Sequence, residues 1–230
     1  MLLMEINPTI LVLCGGKGER LKPLTNKTHK SLTKIDNKTI LQHLVDFFKK
    51  KNIKKFIFTT GYKSKQIKNY LKKKFVDLEY SIIDSGNVNI ISRLKHVYKL
   101  KSMDTIICYG DTLANINIKK YFNLVKKNKN KIIVTVYRPD IKFGIVDLGK
   151  KNIIKRFQEK PKLNIWINIG YIYMPKIMIN SLKKSNDFVN FLKKEIKKKN
   201  VVYFKHNDLH ITVNTLSELE SAKKNIKKFS

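Results

Sequence analysis

Residues 9 to 32 read "TILVLCGGKGERLKPLTNKTHKSL", an apolar run from Thr9 to Cys14 that passes directly into a segment holding three glycines, an arginine and four lysines. An unbroken apolar run of this length suits a strand buried on both faces, as in a parallel sheet. The segment after it suits a loop that another group must approach closely. Glycine tolerates positive φ and puts no Cβ in the way. Ordinary usage of about 7% would place roughly 16 glycines in a chain this long; there are nine in 230 residues, and three of them are Gly15, Gly16 and Gly18. Free backbone N–H groups beside Arg20, Lys22, Lys27 and Lys30 make a site for a polyphosphate. Two familiar phosphate loops are excluded: there is no G-x-x-x-x-G-K-[ST], and Leu21 stands where the dinucleotide fingerprint has its third glycine.

Outward from this stretch, apolar runs alternate with helical patterns. Strands are predicted near 9–14, 54–60, 79–84, 105–109, 131–138, 143–147, 152–157, 166–174 and 201–205. Residues 39–51 carry Ile40, Leu41, Leu44, Val45, Phe47 and Phe48 at helical spacing, and weaker patterns of the same kind cover 64–74 and 91–100. The alternation predicts an α/β fold with a mixed, mainly parallel sheet flanked by helices, which binds ligands beyond the carboxyl ends of its strands. After residue 131 the strands crowd together, which predicts an antiparallel extension. Helices near 175–183, 187–199 and 215–228 follow. No Gly/Ser/Pro-rich linker interrupts the chain, so residues 1–230 are expected to form one domain.

Composition narrows the classes. A 42% hydrophobic content supports a sizeable core. No apolar run approaches a bilayer span and residues 1 to 14 lack the features of a signal peptide, so a cytoplasmic protein without membrane contact is expected. Cys14 and Cys108 close apolar runs and read as small buried hydrophobes. A net charge of +32 invites a nucleic-acid reading, but only four of 49 basic residues are arginine. Scattered lysines without interleaved stacking aromatics argue against specific nucleic-acid binding. Homo-oligomerisation is left open.

Two further stretches carry chemistry. In "TIICYGDTLANINI", residues 105 to 118, an apolar strand ends at Gly110-Asp111. A carboxylate there, facing a phosphate loop, is a natural ligand for Mg²⁺, which takes one or two carboxylates plus substrate phosphates. The plainer alternative is an aspartate capping the helix that starts near Ile118. In "FGIVDLGKKNIIKRFQEKPKLNIWINIGYIYM", residues 143 to 174, Glu159-Lys160-Pro161 follows a strand, and Asn168 and Gly170 interrupt the strand next to Trp166. Lys160 can offer a point charge to a second phosphate. Asn168 and Gly170 can hydrogen-bond a polyol and leave room for its ring. Here the alternative is an exposed hairpin with an ordinary Glu–Lys pair.

Taken together the stretches resemble the sugar-phosphate nucleotidyltransferases, whose signature runs G-x-G-T-R-L-x-P-L-T, P-K-x-L, G-D, E-K-P and N-x-G. Here it stands as Gly16-Lys17-Gly18-Glu19-Arg20-Leu21-Lys22-Pro23-Leu24-Thr25, His29-Lys30-Ser31-Leu32, Gly110-Asp111, Glu159-Lys160-Pro161 and Asn168-Ile169-Gly170, in order over almost the whole chain. The resemblance implies a Rossmann-like (GT-A-like) fold. It implies catalytic roles for Arg20 and Lys30 on the α-phosphate and the leaving pyrophosphate, and a nucleotide site made by Leu13, Cys14, Gly15, Gly16, Gly18, Gly86, Arg93 and Gly110. It also implies an acceptor site at Glu159, Lys160, Asn168 and Gly170, and Mg²⁺ held by Asp111.

Three departures stand out. His29 replaces a proline, which predicts a looser loop ahead of Lys30. The base-contacting segment expected near 86–93 is poor in glycine and threonine. The aspartate of a C-terminal D-x-G-T turn, the usual second metal ligand, is absent from Thr212-Val213-Asn214-Thr215; Asp208, or Asn214 through its amide oxygen, is the candidate replacement. That gap is the motive for reading the chain as a member that has lost catalysis. Within the family, the glucose-1-phosphate cytidylyltransferase pattern is matched by Arg93-Leu94-Lys95, Tyr137-Arg138-Pro139, Phe157-Gln158-Glu159, Trp166-Ile167-Asn168 and Asn214-Thr215-Leu216. CTP is therefore the expected nucleotide. The acceptor is expected to be a small phosphate monoester, either a sugar 1-phosphate or a non-sugar phosphate such as phosphoglutamine or phosphocholine, in capsule or surface-glycan synthesis.

Overall fold

A computed structural model describes residues 8–141, 143–161 and 164–229. Along the chain come β1 (Thr9–Cys14), α1 (Leu24–Lys27), β2 (Lys34–Ile35), β3 (Lys38–Thr39), α2 (Ile40–Lys50), β4 (Lys55–Thr60), α3 (Ser64–Lys74) and β5 (Glu79–Asp84). Then follow α4 (Ile90–Leu100), β6 (Thr105–Tyr109), β7 (Thr112–Ala114), α5 (Ile118–Lys127), β8 (Ile132–Tyr137), β9 (Ile145–Leu148), β10 (Ile154–Gln158) and β11 (Ile167–Met174). The chain closes with α6 (Ile179–Lys183), α7 (Phe188–Lys197), β12 (Val201–His206), β13 (His210–Thr212) and α8 (Leu216–Asn225).

Seven strands form one sheet in the order β12-β8-β11-β6-β1-β4-β5. β1 pairs in parallel with β4 and β6, β4 with β5, and β8 with β12. Only β11 runs against its neighbours, β6 and β8. The expected mixed, mainly parallel sheet is thus present. Its antiparallel part after residue 131 consists of β11 inserted between parallel strands, together with a separate β9–β10 hairpin.

The unbroken apolar run of β1 follows from its central place. Ile10, Val12 and Cys14 enter the core on one face, whereas Leu11 enters the core on the other. On the first face α2 supplies Leu41, Leu44, Phe47 and Phe48, and α3 supplies Ile67 and Leu71. The second face is covered by α4 through Leu94, Val97 and Tyr98, and by α7 through Phe188 and Phe191. Side chains that alternate across a strand must find helices on both sides. Caps set the helix starts: Thr39, Asn89, Asn117, Asp187 and Thr215 each accept a hydrogen bond from a first-turn amide.

Asn117, not Asp111, therefore caps the helix at Ile118. That removes the plain explanation of Asp111 and leaves its carboxylate at the carboxyl end of β6. No helix among the described residues is long and apolar enough to cross a membrane.

Candidate active site

The carboxyl ends of β1 and β6 open onto a cleft of about 230 Å³, lined by Leu13, Gly15, Gly16, Asn87, Val88, Ile90, Arg93, Tyr109 and Asp111. The glycine loop forms one wall. Gly15 is buried because the Arg93 guanidinium lies flat against it: a Cβ on Gly15 would sit 2.1 Å from Arg93 Cζ. Gly18 adopts φ 66, and its α-carbon packs on the Lys30 stem, where a Cβ would come within 3.0 Å of the Lys30 Cβ. Gly16 faces open space. Among the described residues, no backbone carbonyl takes up the amides of residues 16 to 18. That leaves backbone donors in the loop for an anion to take up.

The loop is fastened from outside. Lys63 donates to the Thr25 and Asn26 carbonyls at 2.7 and 2.6 Å, and Gln66 donates to the Lys27 carbonyl at 2.8 Å. Gln66 also accepts from the His29 amide at 2.7 Å. Neither residue was singled out from the sequence, because both lie at the start of α3 and act only through this long-range contact.

His29 overturns the expectation of a looser loop. Its φ of −60 and ψ of 139 are those a proline would hold. Its amide and its Nδ1, which accepts from the Ser31 amide at 3.1 Å, make bonds that proline cannot. Burial pushes its pKa down to about 4, since a charged imidazolium would lose its hydration in the core. Cys14 behaves as read: it is a buried thiol, raised by burial to about 12 and so uncharged.

At Asp111, which lines the cleft, four residues from four parts of the chain converge. The Lys30 ammonium bonds Asp111 Oδ2 at 2.5 Å and Asn214 Oδ1 at 2.8 Å. Arg20 Nη2 reaches the same Asn214 oxygen at 3.0 Å. The short β7–β13 ladder, which the sequence did not reveal, brings these together by pairing Thr112 with Thr212 and letting the Val213 amide donate to the Asp111 carbonyl at 3.2 Å. Two cations face one carboxylate and one neutral amide, so positive charge remains for an anionic ligand. Asp208 is not part of this group. It precedes the ladder at the end remote from Asp111, and its carboxylate accepts from the Leu209 amide. Of the two candidates for the missing aspartate, Asn214 is the one beside Asp111.

Arg93 lines the cleft but is 4% exposed, and it donates to the carbonyls of Thr60, Gly86 and Val88. It ties the end of β4 to the 86–88 loop under Gly15. Gly86 takes φ 68, and Gly110 lies under Ser31 and Cys14.

Among the described residues, no hydrogen bond or ion pair links the E-K-P and N-x-G residues to the Lys30 cluster. Glu159 and Lys160 follow the exposed β9–β10 hairpin, with 3.5 Å between the Lys160 ammonium and Glu159 Oε1. The Asn168 Oδ1 accepts from the Gly170 amide at 2.9 Å where the β11 register shifts. Gly170, at φ 77, lets the Tyr109 ring lie against the strand. Tyr109, of the Tyr109-Gly110-Asp111 stretch, also lines the cleft, beside Asn87, whose side chain sequence reasoning passed over.

No cluster of three or more His, Cys, Asp or Glu side chains suited to a metal is found among the described residues. Asp111 and Asn214 nonetheless present two oxygens to one ammonium. Oxygen donors around a single cation fit Mg²⁺, which draws its remaining ligands from phosphate and water.

The nucleotidyl transferase family model matches residues 9–218. The chain is 28% identical over 195 residues to D-glycero-alpha-D-manno-heptose 1-phosphate guanylyltransferase of Campylobacter jejuni, covering 82% of this chain and 86% of that one. It is also 28% identical over 196 residues to glucose-1-phosphate cytidylyltransferase of Salmonella typhimurium, covering 74% and 76%. The fold matches a crystal structure of a provisionally named glucose-1-phosphate thymidylyltransferase from Bacillus anthracis with a TM-score of 0.78, at 17% identity and 96% coverage of both chains.

The buried histidine yields a test of the loop. Replacing His29 with proline keeps the backbone path, since Thr28 is already extended, but loses the Gln66 and Ser31 bonds, at a cost of about 1–2 kcal/mol near pH 7.5. In the wild type the unfolded chain binds the His29 proton first, so the stability that His29 contributes falls by about 3 kcal/mol as pH drops from 6.5 towards 4. Urea unfolding of His29→Pro across that range should show a shallower decline; parallel curves would contradict the assignment.

Proposed function

Because the chain belongs to the nucleotidyl transferase family, we propose that it transfers CMP from CTP to a small phosphate monoester, foremost a sugar 1-phosphate, and releases pyrophosphate. Family membership supports nucleotidyl transfer onto a sugar phosphate. The identity of the nucleotide, the acceptor residues and the Mg²⁺ requirement belong to this proposal. The observation that carries it is the convergence of Arg20 and Lys30 with Asp111 and Asn214 beneath the glycine loop.

The reaction forms a bond from an acceptor phosphate oxygen to the α-phosphorus and breaks the bond to the bridging oxygen of the pyrophosphate. The attacking oxygen is already anionic, so no general base is needed. What remains is to hold two mutually repelling groups in line and to offset charge at phosphorus. The loop amides of residues 16 to 18 and the cations of Arg20 and Lys30 do this from the nucleotide side. Asp111 and Asn214 would hold Mg²⁺, which supplies Lewis-acid polarisation of the phosphate oxygens when bound. Arg93 acts by fixing Gly15 and the 86–88 loop. Among the described residues Lys160 pairs with its exposed neighbour Glu159, a contact worth little in water, which suits it to receive the acceptor phosphate. Asn168 and Gly170 would border the acceptor beside Tyr109.

CTP is preferred because the Arg93-Leu94-Lys95, Trp166-Ile167-Asn168 and Asn214-Thr215-Leu216 stretches follow the cytidylyltransferase pattern. A cytosine-selective pocket needs an acceptor for N4 and a donor for N3. The Asn87 side chain lines the cleft and offers both. A guanylyl reading is the second candidate, favoured by the Campylobacter match, which covers 82% of this chain against 74% for the Salmonella cytidylyltransferase.

Pyrophosphate release measured with each nucleoside triphosphate and a panel of sugar 1-phosphates and non-sugar phosphates tests the proposal. A kcat/KM for CTP at least about tenfold above that for UTP and GTP is expected; a ratio near or below one removes the cytidine assignment. Lys160→Ala should raise KM for the acceptor by roughly 10- to 100-fold, the loss of one charged contact, while KM for the nucleotide stays within about twofold. An equal rise for both substrates would place Lys160 elsewhere.

A further inference from the structure

We infer that Lys30 is the resting counter-ion of the Asp111–Asn214 pair, and that its ammonium and a divalent cation are alternative occupants of the same two oxygens. The inference rests on the nucleotidyltransferase reading for its consequence in turnover, but its geometry stands independently.

The two oxygens are fixed. Asn214 is held at both ends: its Nδ2 donates to Thr212 Oγ1 at 3.0 Å and its backbone amide donates to Glu218 Oε2 at 2.5 Å. These bonds aim the amide oxygen at Lys30. Asp111 accepts at its other carboxylate oxygen from Thr112 Oγ1 at 3.1 Å, and its main chain is paired with Val213. Lys30 reaches these oxygens through a flexible four-carbon stem lying against Gly18. The oxygens therefore form a prepared cation seat, and the ammonium is its movable occupant.

An ammonium and a divalent ion cannot share the seat, because they would repel at contact distance in a site only partly open to water: the Lys30 and Asp111 side chains are 11% and 26% exposed. Arg20 stands on the same Asn214 oxygen and adds to the repulsion. With Asp111 as the single carboxylate at the seat, a bare divalent ion gains too little to evict Lys30. A triphosphate changes the balance on both sides: it brings further oxygen ligands for the metal and a new anionic partner for the displaced ammonium. Lys30 then moves from Asp111 to phosphate at the moment the cation arrives. The neutral Asn214 matters here, since a second carboxylate would bind a bare cation without nucleotide.

The test is Mn²⁺ binding to the whole protein without any nucleotide, followed by the electron paramagnetic resonance signal of free Mn²⁺. Wild-type protein should show no saturable site at submillimolar Mn²⁺. Lys30→Met and Lys30→Gln, each checked for fold by circular dichroism, should both bind Mn²⁺ at least tenfold more tightly, and the gain should vanish in Lys30→Met/Asp111→Asn. Submillimolar saturation of the wild type, unchanged binding in both Lys30 variants, or a gain that survives loss of Asp111 would overturn the inference. Because no turnover is measured, failure of the proposed transferase activity would show only in the pyrophosphate assay.

Discussion

The ammonium of Lys30 touches a carboxylate 81 residues away and an amide 184 residues away, and much of the fold can be understood as what makes that contact possible. A lysine and an aspartate so far apart in sequence meet only if β1 and β6 lie side by side and both end at the same edge. Parallel pairing of these central strands achieves this, and their two-sided burial keeps the edge rigid. The contact gains strength from its setting, since an ion pair shielded from water is less weakened than a surface pair, provided its remaining valences are met. Thr112 donates to the second Asp111 oxygen and Asn214 accepts from Lys30.

Around this contact the scaffold spends its unusual residues. Arg93 is a buried cation whose guanidinium lies against Gly15 and bonds three main-chain carbonyls, so a glycine that would otherwise read as a phosphate-loop residue also makes room for an arginine. His29 holds a proline-like backbone with two added hydrogen bonds. Such substitutions keep the geometry of the loop while changing what sustains it. One consequence is acid sensitivity that a proline would not bring.

Much of the scaffold was legible because its signals are local. The β1 run, the amphipathic pattern of α2 and the glycine loop need only neighbouring residues to be read, and the structure has them where the sequence placed them. The floor of the site was less legible. β7 and β13 are three-residue strands whose pairing crosses about a hundred positions, too short for any periodicity to announce. Without that ladder Asp208 and Asn214 look equally suited to replace the missing aspartate; the register separates them and brings Asn214 to Asp111. The match of Asn214-Thr215-Leu216 to the cytidylyltransferase pattern was the one hint in the sequence. The anchoring by Lys63 and Gln66 left no trace at all, because a lysine and a glutamine at a helix start are ordinary residues until the loop opposite is known.

The central claim is that the Lys30–Asp111–Asn214–Arg20 group performs phosphate chemistry and is more than a structural ion pair. Asp111→Asn addresses it most directly, because it removes charge while keeping shape. With the best nucleotide and acceptor pair, the account predicts that pyrophosphate release falls by at least about two to three orders of magnitude, while the thermal midpoint shifts by only a few degrees. Near-normal kcat in Asp111→Asn would contradict it and return Asp111 to the role of a partner that merely holds Lys30 in place.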